Sequence, residues 1–447
     1  MQRVQKSFSV ESIDEFKSKI LIWAQQYEAI SWLDSNKYNQ KYSSFDAVLA
    51  VDEFTSIKTD YTNAFDKLKE YQSITNDYLF GYLSYDLKND VENLSSKNFD
   101  GLDFSDLYFF QPQRILFIKG NTIEFSYLKM IDDEIESDFE EINKISLGFD
   151  SAQPDKPSKE IKVKLRIQKD EYHQKITAIL NYINRGDIYE ANFCQEFYAE
   201  NATINPLEVY HHLNEISEPP FATFLKCEHQ YLLSASPERY IKKEGKKVIS
   251  QPIKGTAKRL ISKVDDAQIA FDLTRDEKER SENIMIVDLV RNDLSKTAIK
   301  GSVKVEELCK VYSFKQVHQL ISTVVSEVEN TTHPVDIIRE TFPMGSMTGA
   351  PKVSAMKIIE EQEETKRGLY SGAVGYFTPN GDFDFNVVIR SILYNEENKY
   401  ISFSVGGAIT AKSTPEKEYE ECLLKAKAMK YALTKSDSND YRPRRKI

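Results

Sequence analysis

Residues 1 to about 146 alternate short aromatic or aliphatic runs, such as Tyr108–Phe110 and Ile115–Ile118, with charged helical stretches such as Ser12–Gln25. This half has few glycines and no dense polar cluster, so it reads as structural. Between Gly148 and Lys159 the pattern breaks into a polar segment with two prolines, which buries little apolar surface and reads as a linker over 147–164. Residues 165–435 form a larger half, and 436–447 a polar tail that frays. In the larger half the apolar spacing predicts helices over 166–184, 275–295, 351–364 and 415–434, and strands over Phe383–Arg390 and Tyr400–Val405. Helices and strands are not regularly interleaved. That favours an α+β fold with antiparallel strands over a doubly wound sheet.

Composition narrows the function classes. The 447 residues carry 59 Lys and Arg against 70 Asp and Glu, a formal charge of −11, which argues against a nucleic-acid or anionic-membrane binder. No apolar run approaches the roughly 18–20 residues a membrane span needs. The N-terminus has no apolar signal region, and Cys194, Cys227, Cys309 and Cys422 lie far apart, so a reducing, cytoplasmic setting is expected. The six histidines show no zinc spacing, which leaves carboxylates as the expected holders of any metal.

Eight of the 16 glycines fall between Gly345 and Gly407, where the backbone must turn tightly or approach a ligand. Glu279 and Glu282 share a face of the 275–295 helix, whose start Thr274–Glu277 has a capping-box pattern. Glu418, Glu421 and Lys425 share a face of a second helix, which begins at Thr414-Pro415. Two such faces brought together make an oxygen-rich site suited to Mg²⁺. A lone Glu-x-x-Glu is weak, since Glu360/Glu363 and Glu361/Glu364 have the same spacing and read as solvated faces. Lys254 sits in Pro252–Thr256, where Pro and Gly predict a turn at a strand end. It is either a surface lysine or, if buried beside a cation or an apolar wall, an amine of lowered pKa able to act as nucleophile. Glu238 sits on a similar turn, as a general acid if burial raises its pKa or as a surface partner of Arg239. His318 falls in a strand-like run over Ser313–Val325 and points inward as a core histidine. Gly345–Lys352 lacks the Gly-Lys-Ser/Thr of a nucleotide loop and reads as a turn at a helix N-terminus suited to a small anion.

Taken in order, Gly186–Glu190, Ser236–Glu238, Pro252–Thr256, Asp276–Asp293, Val317-His318, Gly345–Lys352, Leu369–Gly375 and Glu418–Glu421 resemble the chorismate-utilising enzymes. These include anthranilate synthase, aminodeoxychorismate synthase, isochorismate synthase and salicylate synthase. The resemblance runs from about Lys169 to Tyr431, and Gly81–Asp86 looks like the family's smaller half. It implies antiparallel sheets in a sandwich flanked by helices, with the N-terminal half built into the same architecture.

The resemblance also implies roles. Lys254 would be a covalent nucleophile, as in many aminodeoxychorismate synthases, Glu238 the acid, and His318 a wall of the pocket near the ring. Mg²⁺ would be held directly by Glu282 and Glu421 and through waters by Glu279 and Glu418. Thr348, the Gly406-Gly407 backbone and Lys425 would serve the ring carboxylate of chorismate, while Tyr370 and Arg390 would grip its enolpyruvyl carboxylate. Ammonia would come from a glutamine amidotransferase partner, since no glutaminase triad is evident in the chain. Glu190 departs from the family pattern: glutamine is common there in the amino-transferring members, and a water-activating lysine in the isochorismate and salicylate enzymes. Anthranilate synthase, isochorismate or salicylate synthase, and a non-catalytic chorismate-binding regulatory paralogue are the competing readings.

Overall fold

The computed structural model describes residues 2–38, 41–147 and 161–434. Most of the linker and all of the polar tail read from the sequence lie outside those residues. Strand Ala47–Thr59 shows how the core is built. Ala47, Leu49 and Val51 point into one apolar cluster, while Val48 and Ala50 point into another. Side chains alternate along a strand, so a strand buried on both faces reads as an unbroken apolar run. Phe221–Cys227 and Gln230–Ser236 divide their residues between the same two clusters.

Among the described residues the strands join in one antiparallel hydrogen-bond network of 20, folded into two layers. The first layer runs from Arg3–Ser9 through Thr122–Leu128, Leu107–Lys119, Ala47–Thr59, Ala29–Asp34, Phe221–Cys227, Gln230–Ser236, Ser391–Asn395 and Tyr400–Thr410 to Glu190–Ala199. The second runs from Leu79–Leu83 through Ala373–Phe377, Phe383–Val387, Arg239–Glu244 and Lys247–Gln251 to Val317–Glu327. Leu107–Lys119 joins the layers, pairing near its start with Leu79–Leu83 and near its end with Thr122–Leu128. One apolar core lies between the layers; the other lies between the first layer and helices Ile13–Ala24, Lys169–Arg185, Pro206–Ser217 and Pro415–Thr434. Strands from before and after residue 147 are neighbours in both layers. The break at 147–164 therefore divides the chain but not the architecture.

The expected helices form with small changes at their ends, as Lys169–Arg185, Glu277–Ser295, Lys352–Gln362 and Pro415–Thr434. The cap of Glu277–Ser295 is Asp276, which accepts from the N–H groups of Lys278 and Glu279, while Thr274 closes the preceding helix Lys263–Leu273. A carboxylate at the N-cap does the work expected of the threonine hydroxyl. The Ser313–Val325 run is also broken: Lys304–Ser313 and Val317–Glu327 are two strands of a hairpin that turns at 314–316. Pro252–Thr256 is no turn. Lys247–Gln251 and Ile253–Lys258 run on along the same neighbour, and the register shifts between Ile253 and Thr256. This is a β-bulge, and Gly255 at φ +96° supplies the left-handed backbone it needs. Among the described residues no helix is long and apolar enough to cross a membrane, and all four cysteines are buried and free of disulfides.

Gly375 pairs across the second layer with Gly81 on one side and Phe385 on the other. A β-carbon there would land on the Asp384 carbonyl oxygen. Gly375→Ala is expected to lower stability by about 1–3 kcal/mol or more, read as a shift of the urea midpoint, because a backbone atom cannot move aside as a side chain can.

Candidate active site

Lys254 projects from the bulge. Its backbone carbonyl accepts from Asn283 Nδ2 at 3.1 Å, which ties the bulge to helix Glu277–Ser295. Its Nζ lies 3.2 Å from Glu190 Oε1, and its side chain is 15% exposed. Glu190 opens the strand Glu190–Ala199 between Ala350 and Thr410, so its backbone is held on both sides. It is 1% exposed, and its second oxygen, Oε2, has no hydrogen-bond partner. Burial alone would lower the Lys254 pKa, but Glu190 and Glu282 outweigh it and hold the ammonium above its ordinary value. The amine of lowered pKa expected from the sequence is therefore not what the resting site contains.

Glu238 stands at the corner between Gln230–Ser236 and Arg239–Glu244 and is 5% exposed. Its Oε1 accepts a hydrogen bond from Ser346 Oγ at 2.6 Å. Burial pushes its pKa up to about 7, against the pull of Ser346 and of the nearby Lys254 charge. Arg239 is no partner to it: its guanidinium forks onto Asp384 at 2.9 and 3.1 Å. The geometry leaves a protonatable acid beside an amine.

Helix Glu277–Ser295 carries Glu279 and Glu282 towards Glu418 and Glu421 of helix Pro415–Thr434, and Lys278 feels the charge of all four. Burial raises the pKa of Glu279 and Glu418 and takes Glu282 to about 7. At Glu421 burial is overcome by Lys425, 2.7 Å away, and the pKa falls. Two glycines keep the backbone open beside these groups. A β-carbon at Gly255 would meet Glu279 Oε2 at 3.1 Å, and one at Gly407 would meet Glu418 Oε2 at 3.4 Å. With Glu238 protonated, the five carboxylates of Glu190, Glu279, Glu282, Glu418 and Glu421 face four cations, Lys254, Lys278, Lys425 and Arg390, an excess of one negative charge when all five are ionised. Among the described residues no three carboxylate, imidazole or thiol groups converge into a ready-made metal cluster. The all-oxygen donor set and the uncompensated charge still fit Mg²⁺, which needs only one or two direct protein ligands.

Arg390 joins the same space. It sits at φ +54°, senses Tyr370 and Glu421, and burial lowers its pKa. Tyr370 is buried, with its hydroxyl 3.6 Å from Cys194 Sγ. Gly406 offers its carbonyl to Lys425 Nζ at 2.9 Å, and a β-carbon there would strike Cys194 Sγ. Thr348 is wholly buried; its hydroxyl donates to the Gly345 carbonyl at 3.2 Å, within its own turn. His318, 2% exposed, has both ring nitrogens occupied, Nδ1 by Ser313 at 2.8 Å and Nε2 by Asp266 at 3.1 Å. The fold thus brings Lys254, Glu238, the four metal-face glutamates, Lys425, Arg390 and Tyr370 into one electrostatic neighbourhood. It ties His318 to Ser313 and Asp266 instead.

Several supporting residues went unread in the sequence. Glu363 is not on a solvated face: it is 6% exposed and locked to Arg367 at 2.7 Å. Arg367 also donates to the carbonyls of Met347 and Asn192, each at 2.6 Å, pinning the Gly345–Thr348 turn to the strand that carries Glu190. Glu360, likewise taken for solvated, reaches the buried Lys88 at 3.4 Å. Lys352, at the start of its helix, donates to Asp293 at 2.6 Å. The Glu363–Arg367 spacing of four was the available signal, but surface pairs share it.

Known proteins resemble this chain in sequence and fold. The chain is 32% identical to aminodeoxychorismate synthase component 1 of Bacillus subtilis (strain 168), over 80% of this chain and 77% of that protein. It is 39% identical to aminodeoxychorismate synthase component 1 of Escherichia coli (strain K12), over 60% of this chain and 58% of that one. Anthranilate synthase component I from Streptococcus pneumoniae TIGR4 shares the fold, with a TM-score of 0.74 at 24% identity over 88% of this chain and 94% of that one. The model of the chorismate binding enzyme family matches residues 21–431, a span that takes in both segments of the two-layered sheet and every residue of the site. With the family model matching residues 21–431 and a relative 32% identical over 80% of this chain, the chain belongs to the chorismate binding enzyme family.

Proposed function

We propose that the protein converts chorismate and ammonia to 4-amino-4-deoxychorismate, with Lys254 as a covalent nucleophile. The observation that carries this reading is the buried amine of Lys254 between Glu190 and a protonatable Glu238. The neutral Lys254 amine adds at ring carbon 2 as the diene shifts and the carbon-4 hydroxyl departs. Hydroxide is a poor leaving group, and Glu238 gives it a proton so that water leaves. Ammonia then bonds to carbon 4, the double bond shifts back, and the carbon 2–nitrogen bond breaks to free Lys254. The new ammonium returns a proton to Glu238, which closes the cycle with ammonia consumed and water released.

Chorismate brings two carboxylates into a site that already has excess negative charge. Glu282 and Glu421 would hold Mg²⁺ directly, and Glu279 and Glu418 its waters. The ion would supply positive charge to the ring carboxylate. Gly406, Gly407, Thr348 and Lys425 would meet that carboxylate, and Tyr370 and Arg390 the enolpyruvyl one, where a planar guanidinium suits two parallel hydrogen bonds. His318 would support the pocket wall. A glutamine amidotransferase subunit would deliver the ammonia in the cytoplasm, and the component 1 naming of the relatives supports a partner component.

Product analysis of the purified chain with chorismate, Mg²⁺ and ammonium at alkaline pH tests the reading. The expected product is an amino compound that an aminodeoxychorismate lyase converts to p-aminobenzoate. Turnover is expected to fall with EDTA and return with added Mg²⁺. Anthranilate would make this an anthranilate synthase, isochorismate or salicylate would mean water is the nucleophile, and tight chorismate binding without turnover would mean a regulatory paralogue.

A further inference from the structure

An ammonium group has no lone pair, so a lysine that is to bond to carbon must first give up a proton. Among the described residues, the carboxylate oxygen in ion-pair contact with the Lys254 ammonium is Glu190 Oε1, at 3.2 Å. The other nearby acids are otherwise engaged. Glu238 takes the Ser346 hydroxyl and must itself carry a proton to act as acid, and Glu282 lies 3.8 Å from Lys278 on the metal-facing helix. Glu190 is also hard to move. It is paired to Ala350 and Thr410 through its backbone, and a β-carbon at the neighbouring Gly349 would strike its carbonyl oxygen. Its Oε2 is buried and has no hydrogen-bond partner among the described residues.

Resting on the reading of Lys254 as nucleophile, we propose that Glu190 is the base that frees the Lys254 amine and stores its proton. In the resting site the pair is ammonium and carboxylate. Substrate excludes water, which disfavours both charges, and the proton moves from Nζ to Glu190, leaving a neutral amine and a carboxylic acid. Nζ then bonds to ring carbon 2 while Glu238 protonates the departing hydroxyl. When ammonia has entered at carbon 4 and the carbon–nitrogen bond breaks, Lys254 leaves as a free amine and takes its proton back from Glu190. Each proton is accounted for between three groups, and no outside base is needed.

The test compares wild type with Glu190→Gln, which keeps the size of the side chain and a hydrogen-bond acceptor but cannot take a proton. The readouts are steady-state kinetics with ammonium and the rate at which a chorismate-derived mass appears on Lys254 in quenched single turnovers. Expected is an adduct rate and kcat lower by about 10²-fold, with the KM for chorismate within about twofold of wild type. A merely structural role would move KM together with kcat. Adduct formation at the wild-type rate in folded Glu190→Gln overturns the proposal. If that variant does not fold, Glu190→Asp keeps the base but withdraws it by one methylene: a slower adduct at unchanged KM supports the proposal, and an unchanged rate overturns it. A wild-type enzyme that never carries an adduct on Lys254 sinks the nucleophile reading and this proposal together, and the wild-type arm alone reveals it.

Discussion

Replacing Lys254 with alanine is expected to lower ammonia-dependent turnover by on the order of 10³-fold or more, with no chorismate-derived mass left on the protein. The expectation follows from a covalent route that has no second amine: Lys278 and Lys425 are committed to the metal-face glutamates. The same substitution strands Glu190, 1% exposed, without its counter-charge. Removing one partner of a buried ion pair costs about 3–5 kcal/mol, so the variant is also expected to melt earlier. Two effects on one variant need separating. Lys254→Ala combined with Glu190→Gln removes the stranded charge and should recover much of the stability while leaving turnover absent. Retention of turnover within a few fold in folded Lys254→Ala would mean that ammonia attacks chorismate directly.

Glu238→Gln gives the second large effect. An amide cannot protonate the departing hydroxyl, so kcat is expected to fall by about 10²–10⁴-fold. In the wild type the acid is competent only while protonated, and kcat/KM should decline as pH rises through about 7, the value to which burial pushes Glu238. The variant should lack that limb. Stability moves the other way, because a carboxyl whose pKa is raised on folding binds its proton more tightly in the folded state. Its contribution is present below about 4.5 and lost as pH rises to about 7. At pH 8 the folded protein holds a buried carboxylate that glutamine would not present. Glu238→Gln should therefore be more stable than wild type there, by roughly 3 kcal/mol as an upper bound, and show no such advantage at pH 4. A parallel loss of stability at both pH values would count against Glu238 as a buried, proton-holding acid.

Where sequence reading succeeded, the signal was local. The charged stretch Ser12–Gln25 forms helix Ile13–Ala24, and Pro415 starts its helix, because first-turn prolines act within three or four residues. Helical periodicity also placed Glu279 with Glu282 and Glu418 with Glu421 on single faces. Where reading failed, a partner distant in the chain decided the matter. Lys254 has the Pro and Gly neighbours of a turn, yet the strand Val317–Glu327 holds it in a bulge. Glu363 has the spacing of a solvated face, yet Arg367 and the Cys194 N–H take its carboxylate into the interior.

By itself the sequence determined the α+β class, the main helices, the antiparallel strands and the set of residues able to carry amine and acid chemistry, since these follow from periodicity, capping and residue type. Only the tertiary structure decided which charges meet. It set Glu190 against Lys254 across 64 positions of chain, shown by their numbers and their 3.2 Å contact, gave Glu238 to Ser346 and not to Arg239, and enclosed His318 between Ser313 and Asp266. Protonation depends on burial and on charges a few ångströms away, and both are set by packing between segments that the linear pattern leaves apart.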